Sequence, residues 1–200
     1  MALYDYLTLQ LARGPAPRAR FVEALKTAAL GADGRAVGLF AAQLGWEASQ
    51  VALLVQRAEG QAGVSAALDA VVHAPEVRGR GYQVLRPTVR PRPGDVVAHG
   101  GIYVHRWFEV AADSFDDFVA LSAEAWPDFE ARFDARIFGL FEQVQDDPSA
   151  NRRLLLVTRY ASHGVWEDSR DPTTQAMQTF ARRAALTLST QAASTLLVPL

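Results

Sequence analysis

Period-two alternation of side-chain character marks two segments of the chain, LYDYLTLQL at 3–11 and IYVHRWFEV at 102–110. Successive side chains of an extended strand point to opposite faces, so both segments are expected strands. One phase is mainly aliphatic: Leu3, Asp5, Leu7, Leu9 and Leu11 in the first, Ile102, Val104, Arg106, Phe108 and Val110 in the second. The other phase is aromatic and polar: Tyr4, Tyr6, Thr8 and Gln10, then Tyr103, His105, Trp107 and Glu109. The two segments are offset by 99 positions. VGLFAAQL at 37–44 returns as FGLFEQVQ at 138–145, offset by 101, and VALLVQRAE at 51–59 returns as RLLLVTRYA at 153–161, offset by 102. VLRP at 84–87 is echoed by LLVP at 196–199 near the end of each copy. A period of about a hundred residues is a duplicated domain, well beyond the roughly 20–50 residues of solenoid repeats.

Each copy reads strand, helix, strand, strand, helix, strand. In the second, Ser114 followed by Asp117 forms an expected capping box, and Phe118, Leu121, Ala125, Phe129 and Phe133 recur at helical spacing. Pro127 inside that stripe is expected to kink or restart the helix there. Strands are expected over 136–145 and 152–161, joined by the loop QDDPSAN. Asp171-Pro172 is expected to open a second helix bearing Met177, Phe180, Ala184 and Leu188, with a last strand over 193–200. In the first copy Pro17 opens a helix with the stripe Phe21, Leu25 and Ala28, and a weaker helix is expected near 64–77. The order is that of a ferredoxin-like fold, with both helices on one face of an antiparallel sheet. The expected class is therefore α+β: two tandem ferredoxin-like modules, 1–90 and 101–200, with a linker at 91–100. The bare faces of the two sheets are expected to pack together as an intramolecular dimeric α/β-barrel.

Composition narrows the function classes. The chain has 200 residues, half of them hydrophobic, and 20 basic side chains against 22 acidic, so no polyelectrolyte partner is implied. Through residue 98 there are 11 basic and 8 acidic side chains, and beyond it 9 and 14, a weak hint that the halves face each other. With no cysteine, disulfides, thiolate metal sites and a cysteine nucleophile are excluded. No run approaches the roughly 18 apolar residues of a membrane span, and the N-terminus lacks a signal-peptide pattern, so a cytoplasmic protein is expected. Arg78, Arg80, Arg86, Arg90 and Arg92 lack interleaved aromatics and read as a solvated run, not a nucleic-acid surface.

The second copy resembles the NIPSNAP family of the dimeric α/β-barrel superfamily. The resemblance rests on IYVHRWFEV, WPDFEARFDARIFGLFEQV, LLLVTRYAS, RDPTTQAMQTF and LLVPL, and covers essentially all of 101–200. Tyr103 and Arg106 fit the family's Tyr-Glu-Leu-Arg-like opening strand, whereas Val104 and His105 depart from it. The first copy keeps Tyr4 and Asp5 but has Leu7 at the arginine position, and so resembles a degraded version. The family implies a fold more firmly than an activity. The superfamily adds the prospect of cofactor-free oxygenation or isomerisation.

The aromatic-polar phase is expected to line a cavity between the two sheets, formed by Tyr4, Tyr6, Tyr103, His105 and Trp107 with Thr158 and Tyr160 from the neighbouring strand. Apolar bodies with polar tips suit a small apolar or aromatic molecule; equally, the same side chains fill the barrel and bond one another. His105 is the candidate general base, or else a satisfied core residue. His73, His99 and His163 share no ligand spacing, so no metal site is expected and no cofactor is assigned. Haem is a third reading, with His105 or His163 as axial ligand and no supporting motif. Arg106 and Arg159 either hold an anion or pair with acids across the central strands. The leading expectation is a small-molecule-binding protein, able to pair again into a homo-oligomer. The alternative is a non-enzymatic interaction protein with a packed interior.

Overall fold

The computed structural model describes residues 2–28, 34–57, 66–147 and 151–200. The chain divides into two compact units, Met1–Arg86 with Thr195–Leu200, and Pro87–Ser194. The first contains β1 (Tyr4–Leu11), α1 (Pro15–Thr27), β2 (Gly34–Leu44), β3 (Gln50–Arg57), α2 (Ala66–Val72) and β4 (Val77–Pro87, whose last residue lies across the division). All pairings are antiparallel: β1 lies between β3 and β4, and β2 pairs with the far edge of β3. That order, β4-β1-β3-β2, is the ferredoxin-like one. Leu7, Leu9 and Leu11 of β1 pack with Leu53 and Val55 of β3 against Phe21 and Leu25 of α1 and Leu68 and Val72 of α2. The aliphatic phase therefore lies under the helices, as alternation requires.

The second unit contains β5 (Ile102–Val110), α3 (Phe115–Arg132), β6 (Ala135–Gln143), β7 (Arg152–Tyr160), α4 (His163–Asp168), α5 (Gln175–Ala184) and the greater part of β8 (Thr187–Val198). β7 is central, antiparallel to both β5 and β6. Ser189 at the start of β8 donates its hydroxyl to Glu109 Oε2 of β5 at 3.2 Å. The core joins Val104, Phe108 and Val110 of β5, Leu154 and Leu156 of β7, and Phe118, Trp126 and Phe129 of α3. Phe108 meets Phe118 edge-on at 5.0 Å between ring centroids. Gly101 adopts φ +75°, and a Cβ there would lie 2.1 Å from Tyr160 O, so the close start of β5 beside the end of β7 needs glycine.

The repeated Gly-Leu-Phe triplet builds the same local structure twice. The β2–β3 register slips between Ala36 and Gly38, and the β6–β7 register between Ile137 and Gly139. In each case the extra residue makes a bulge immediately before the glycine. The ring two residues on then covers the glycine: a Cβ on Gly38 would approach Phe40 at 2.7 Å, and one on Gly139 would approach Phe141 at 2.7 Å.

Several local expectations are corrected. Ser114 ends a short 3₁₀ turn, Ala112–Ser114, and its hydroxyl meets Asp113 instead of capping α3. α3 runs through Pro127 to Arg132, so the helix does not restart there. Of the expected stripe Phe118, Ala125 and Phe129 are buried, joined by Ser122 and Trp126. α5 starts after Thr174, not Asp171: the Thr174 hydroxyl accepts the Met177 N–H at 3.2 Å, while Asp171 closes the preceding turn through Thr173. Leu188 belongs to β8, not to the helix. The expected loop at 145–151 and the weak helix near 64–77 fall partly outside the described residues.

Thr174→Ala is expected to cost about 1 kcal/mol by orphaning an N-terminal amide of α5. Thermal unfolding should fall by roughly 2–4 °C, and Thr174→Ser should restore it.

Candidate functional site

A cavity of about 880 Å³ opens in the second unit on the helix-covered side of its sheet. β5 contributes Arg106 and β7 contributes Leu156, Thr158 and Tyr160. α3 contributes Phe129, α4 Trp166, and α5 Met177, Phe180 and Arg183. The turn before α5 adds Arg170 and Pro172, and the start of β8 adds Leu188. Even-numbered residues of β5 face the helices, which is why Arg106 shares a side with Val104 and Phe108. On α5, Ala176, Thr179 and Arg183 are buried at i, i+3 and i+7, so the helix carries an arginine on its inward face.

Arg183 is 5% exposed. Its guanidinium carbon stands 4.5 Å from the Phe180 ring centroid, 4.9 Å from that of Phe108 and 5.1 Å from that of Phe118. Nη1 donates to Ser122 Oγ at 3.3 Å, and Ser122 in turn donates to Phe118 O at 2.7 Å. Nε is buried with no hydrogen-bond partner among the described residues. Burial, with Arg106 nearby, pushes the Arg183 pKa down to about 9, so the group remains a cation at neutral pH. Burial also lowers the Arg106 pKa, and Arg170 adds repulsion. Among the described residues none of these three arginines pairs with a carboxylate. Trp166 Nε1 is a further buried donor without a partner among the described residues. Burial raises the Tyr160 pKa, so its hydroxyl stays protonated. Among the described residues, no Asp, Glu or His lines the cavity.

Register separates the expected site residues. Tyr4 and Tyr6, 4% and 0% exposed, lie on the face of the first unit's sheet turned away from α1 and α2. Tyr103, His105 and Trp107 share the corresponding face of the second. The grouping of Thr158 and Tyr160 with them is corrected, because Tyr160 pairs with Ile102 and Thr158 with Val104, on the helix-covered side. Tyr103 donates to Ala98 O at 2.6 Å, and burial pushes its pKa up to about 12. The Trp107 ring is covered by the Arg153 guanidinium at 5.0 Å. His105 is 1% exposed and burial drives its pKa down to about 3, so it is neutral at physiological pH. Arg159 pairs with Asp134 at 2.7 Å, as expected of a scaffolding arginine, whereas Arg106 does not pair with an acid. Of the two histidines considered for haem, His105 faces away from the cavity. His163 Nε2 lies 3.1 Å from Ser194 Oγ and does not line it. The wall therefore offers no histidine, among the described residues, to the iron of a haem.

Among the described residues no three His, Asp or Glu side chains cluster as metal ligands. Nor is any helix among them long and apolar enough to cross a membrane.

No family model and no curated relative matches the chain. Solved structures resemble it in fold. An anthrone oxidase-like protein has a TM-score of 0.66 at 11% identity, with 98% of this chain and 92% of that one covered. A variant of chlorite dismutase from Candidatus Nitrospira defluvii gives 0.64 at 10% identity, covering 99% and 91%. A ferredoxin-fold protein from Listeria monocytogenes, related to antibiotic biosynthesis monooxygenases, gives 0.51 at 9% identity, covering 100% and 97%. At these identities the likeness is one of α+β, ferredoxin-like fold.

Proposed function

We propose that the protein binds a small, flat, largely apolar molecule in the helix-side cavity of its second unit. The observation that carries this reading is a cavity of about 880 Å³ walled by Phe129, Tyr160, Trp166 and Phe180. That volume lies within the range of small-molecule pockets, roughly 300–1,000 Å³. Small-molecule binding is also in keeping with the oxidase- and monooxygenase-related names of proteins sharing the fold. We read the site as a binding site: its wall brings aromatic rings and guanidinium groups together, and no carboxylate or imidazole lines it among the described residues.

The first unit supplies scaffold in this reading. The position corresponding to Arg106 is Leu7, 3% exposed within an apolar cluster. A duplicated ancestral module, one copy of which kept the site, accounts for this asymmetry and for the shared Gly-Leu-Phe bulges. The NIPSNAP resemblance belongs to the same proposal.

Native mass spectrometry of protein from its own host tests it. A retained mass of a few hundred daltons is expected, lost on Ala184→Trp, which puts an indole at the cavity wall. A clean mass, together with failure to take up either 1-naphthalenemethanol or 1-naphthoate by calorimetry, would overturn the reading.

A further inference from the structure

We infer that the cavity's ligand is an anion, an aromatic carboxylate or a like acid whose oxygens meet Arg183 and Arg106 while its rings lie among Trp166, Phe129 and Phe180. This deepens, and rests on, the small-molecule reading above.

The polar inventory of the wall is lopsided. Arg183 Nε and Trp166 Nε1 are buried donors with no acceptor among the described residues. Arg106, half-buried, also makes no hydrogen bond or ion pair among the described residues. A buried donor left unmade costs about 1–3 kcal/mol, and burying cations without a counter-charge costs more. The fold carries these costs in one place, with Arg170 completing a line of arginines from the exposed rim to the buried Arg183. Cation–π contact with three phenylalanines softens the penalty at Arg183 but supplies no acceptor. The wall's neutral polar side chains, Tyr160 and Thr158 among them, give Arg183 Nε and Trp166 Nε1 no acceptor among the described residues, and the Ser169 hydroxyl already donates to Trp166 O at 2.8 Å. A ligand rich in acceptors and bearing negative charge satisfies all three donor groups at once. A neutral ring of the same shape fills the apolar part and leaves them as they are.

The charge requirement separates from the shape requirement in a matched pair of probes, 1-naphthoate and 1-naphthalenemethanol, titrated calorimetrically into the full chain. Naphthoate is expected to bind at least about ten-fold tighter, the weight of a charge-assisted hydrogen bond. Arg183→Met should weaken naphthoate by about 10- to 100-fold and leave the neutral probe nearly unchanged. Methionine fits the aromatic surround and removes a buried charge, so this variant should keep or raise the melting temperature. Arg106→Met, at a less buried position, provides the same comparison independently. Equal binding of the two probes by the native protein, or naphthoate binding indifferent to both variants, overturns the anion inference and leaves the cavity reading standing. Binding of neither probe overturns both.

Discussion

Arg57→Ala is expected to destabilise the first unit by about 3–5 kcal/mol, because it strands a buried carboxylate. The Asp5 and Arg57 side chains are 3% and 7% exposed, and their ion pair measures 2.6 Å. Arg57 reaches one Asp5 oxygen with both Nε, at 2.9 Å, and Nη2, while the Tyr82 hydroxyl donates to the same oxygen at 2.6 Å. Burial and the Asp5 charge push the Tyr82 pKa up to about 12, so that hydroxyl remains a donor throughout the ordinary pH range. Removing the arginine leaves Asp5 with the Tyr82 hydroxyl as its hydrogen-bond donor among the described side chains, on the helix-facing side of the sheet. The pair itself contributes far less than its rupture costs, since both partners were desolvated to form it. Asp5→Leu combined with Arg57→Leu should therefore recover most of the loss. Urea unfolding of the two single variants and the double one checks this. A single variant within about 1 kcal/mol of the native protein would show that water or a neighbour compensates the charge.

How much of this was legible in the sequence depended on whether the information was local. The opening strands could be read because Leu7, Leu9 and Leu11 alternate cleanly with Tyr4, Tyr6 and Thr8. The β7 strand could not be assigned a face in the same way: residues 154–158 are all buried, so Leu-Leu-Leu-Val-Thr offers no alternation. Its parity is set by pairing with β5, and that misplaced Thr158 and Tyr160. The candidate cavity escaped because Arg106 comes from β5 while Arg170 and Arg183 come from the turn before α5 and α5 itself, a stretch distant from β5 in the chain. One local signal was present. Arg183 follows Ala176 and Thr179 on the inward face of α5, an arginine where the helical period calls for an apolar residue. The six-residue α4, which carries Trp166, is too short to generate a readable period. Asp5 was visible as an acid in an aliphatic phase, but its partner Arg57 stands 52 positions away and could be found only by the pairing of β1 with β3.

Acid should weaken the fold through His105. Burial holds its pKa at about 3, against an ordinary histidine value of 6.5. Between those limits the unfolded chain takes up a proton that the folded protein refuses. This stabilising contribution is complete above pH 6.5 and is lost progressively as pH falls toward 3. The slope approaches about 1.4 kcal/mol per pH unit, so acidification from pH 6.5 to 5 should cost about 2 kcal/mol from this side chain alone. Carboxylates held low by partners, such as Asp128 beside Arg132, lose their contribution at lower pH, which leaves the upper part of the window to histidine. His105→Gln keeps a polar group of similar size without the titration. Its unfolding free energy, measured in urea from pH 7.5 to 5, should run flatter than that of the native protein by about 2 kcal/mol over the range. Parallel profiles would mean that the imidazole is protonated inside the folded protein, and that a nearby group accepts its charge. That result would return His105 to consideration as a proton-handling residue, because a buried imidazole that titrates near neutrality is what general acid–base chemistry requires.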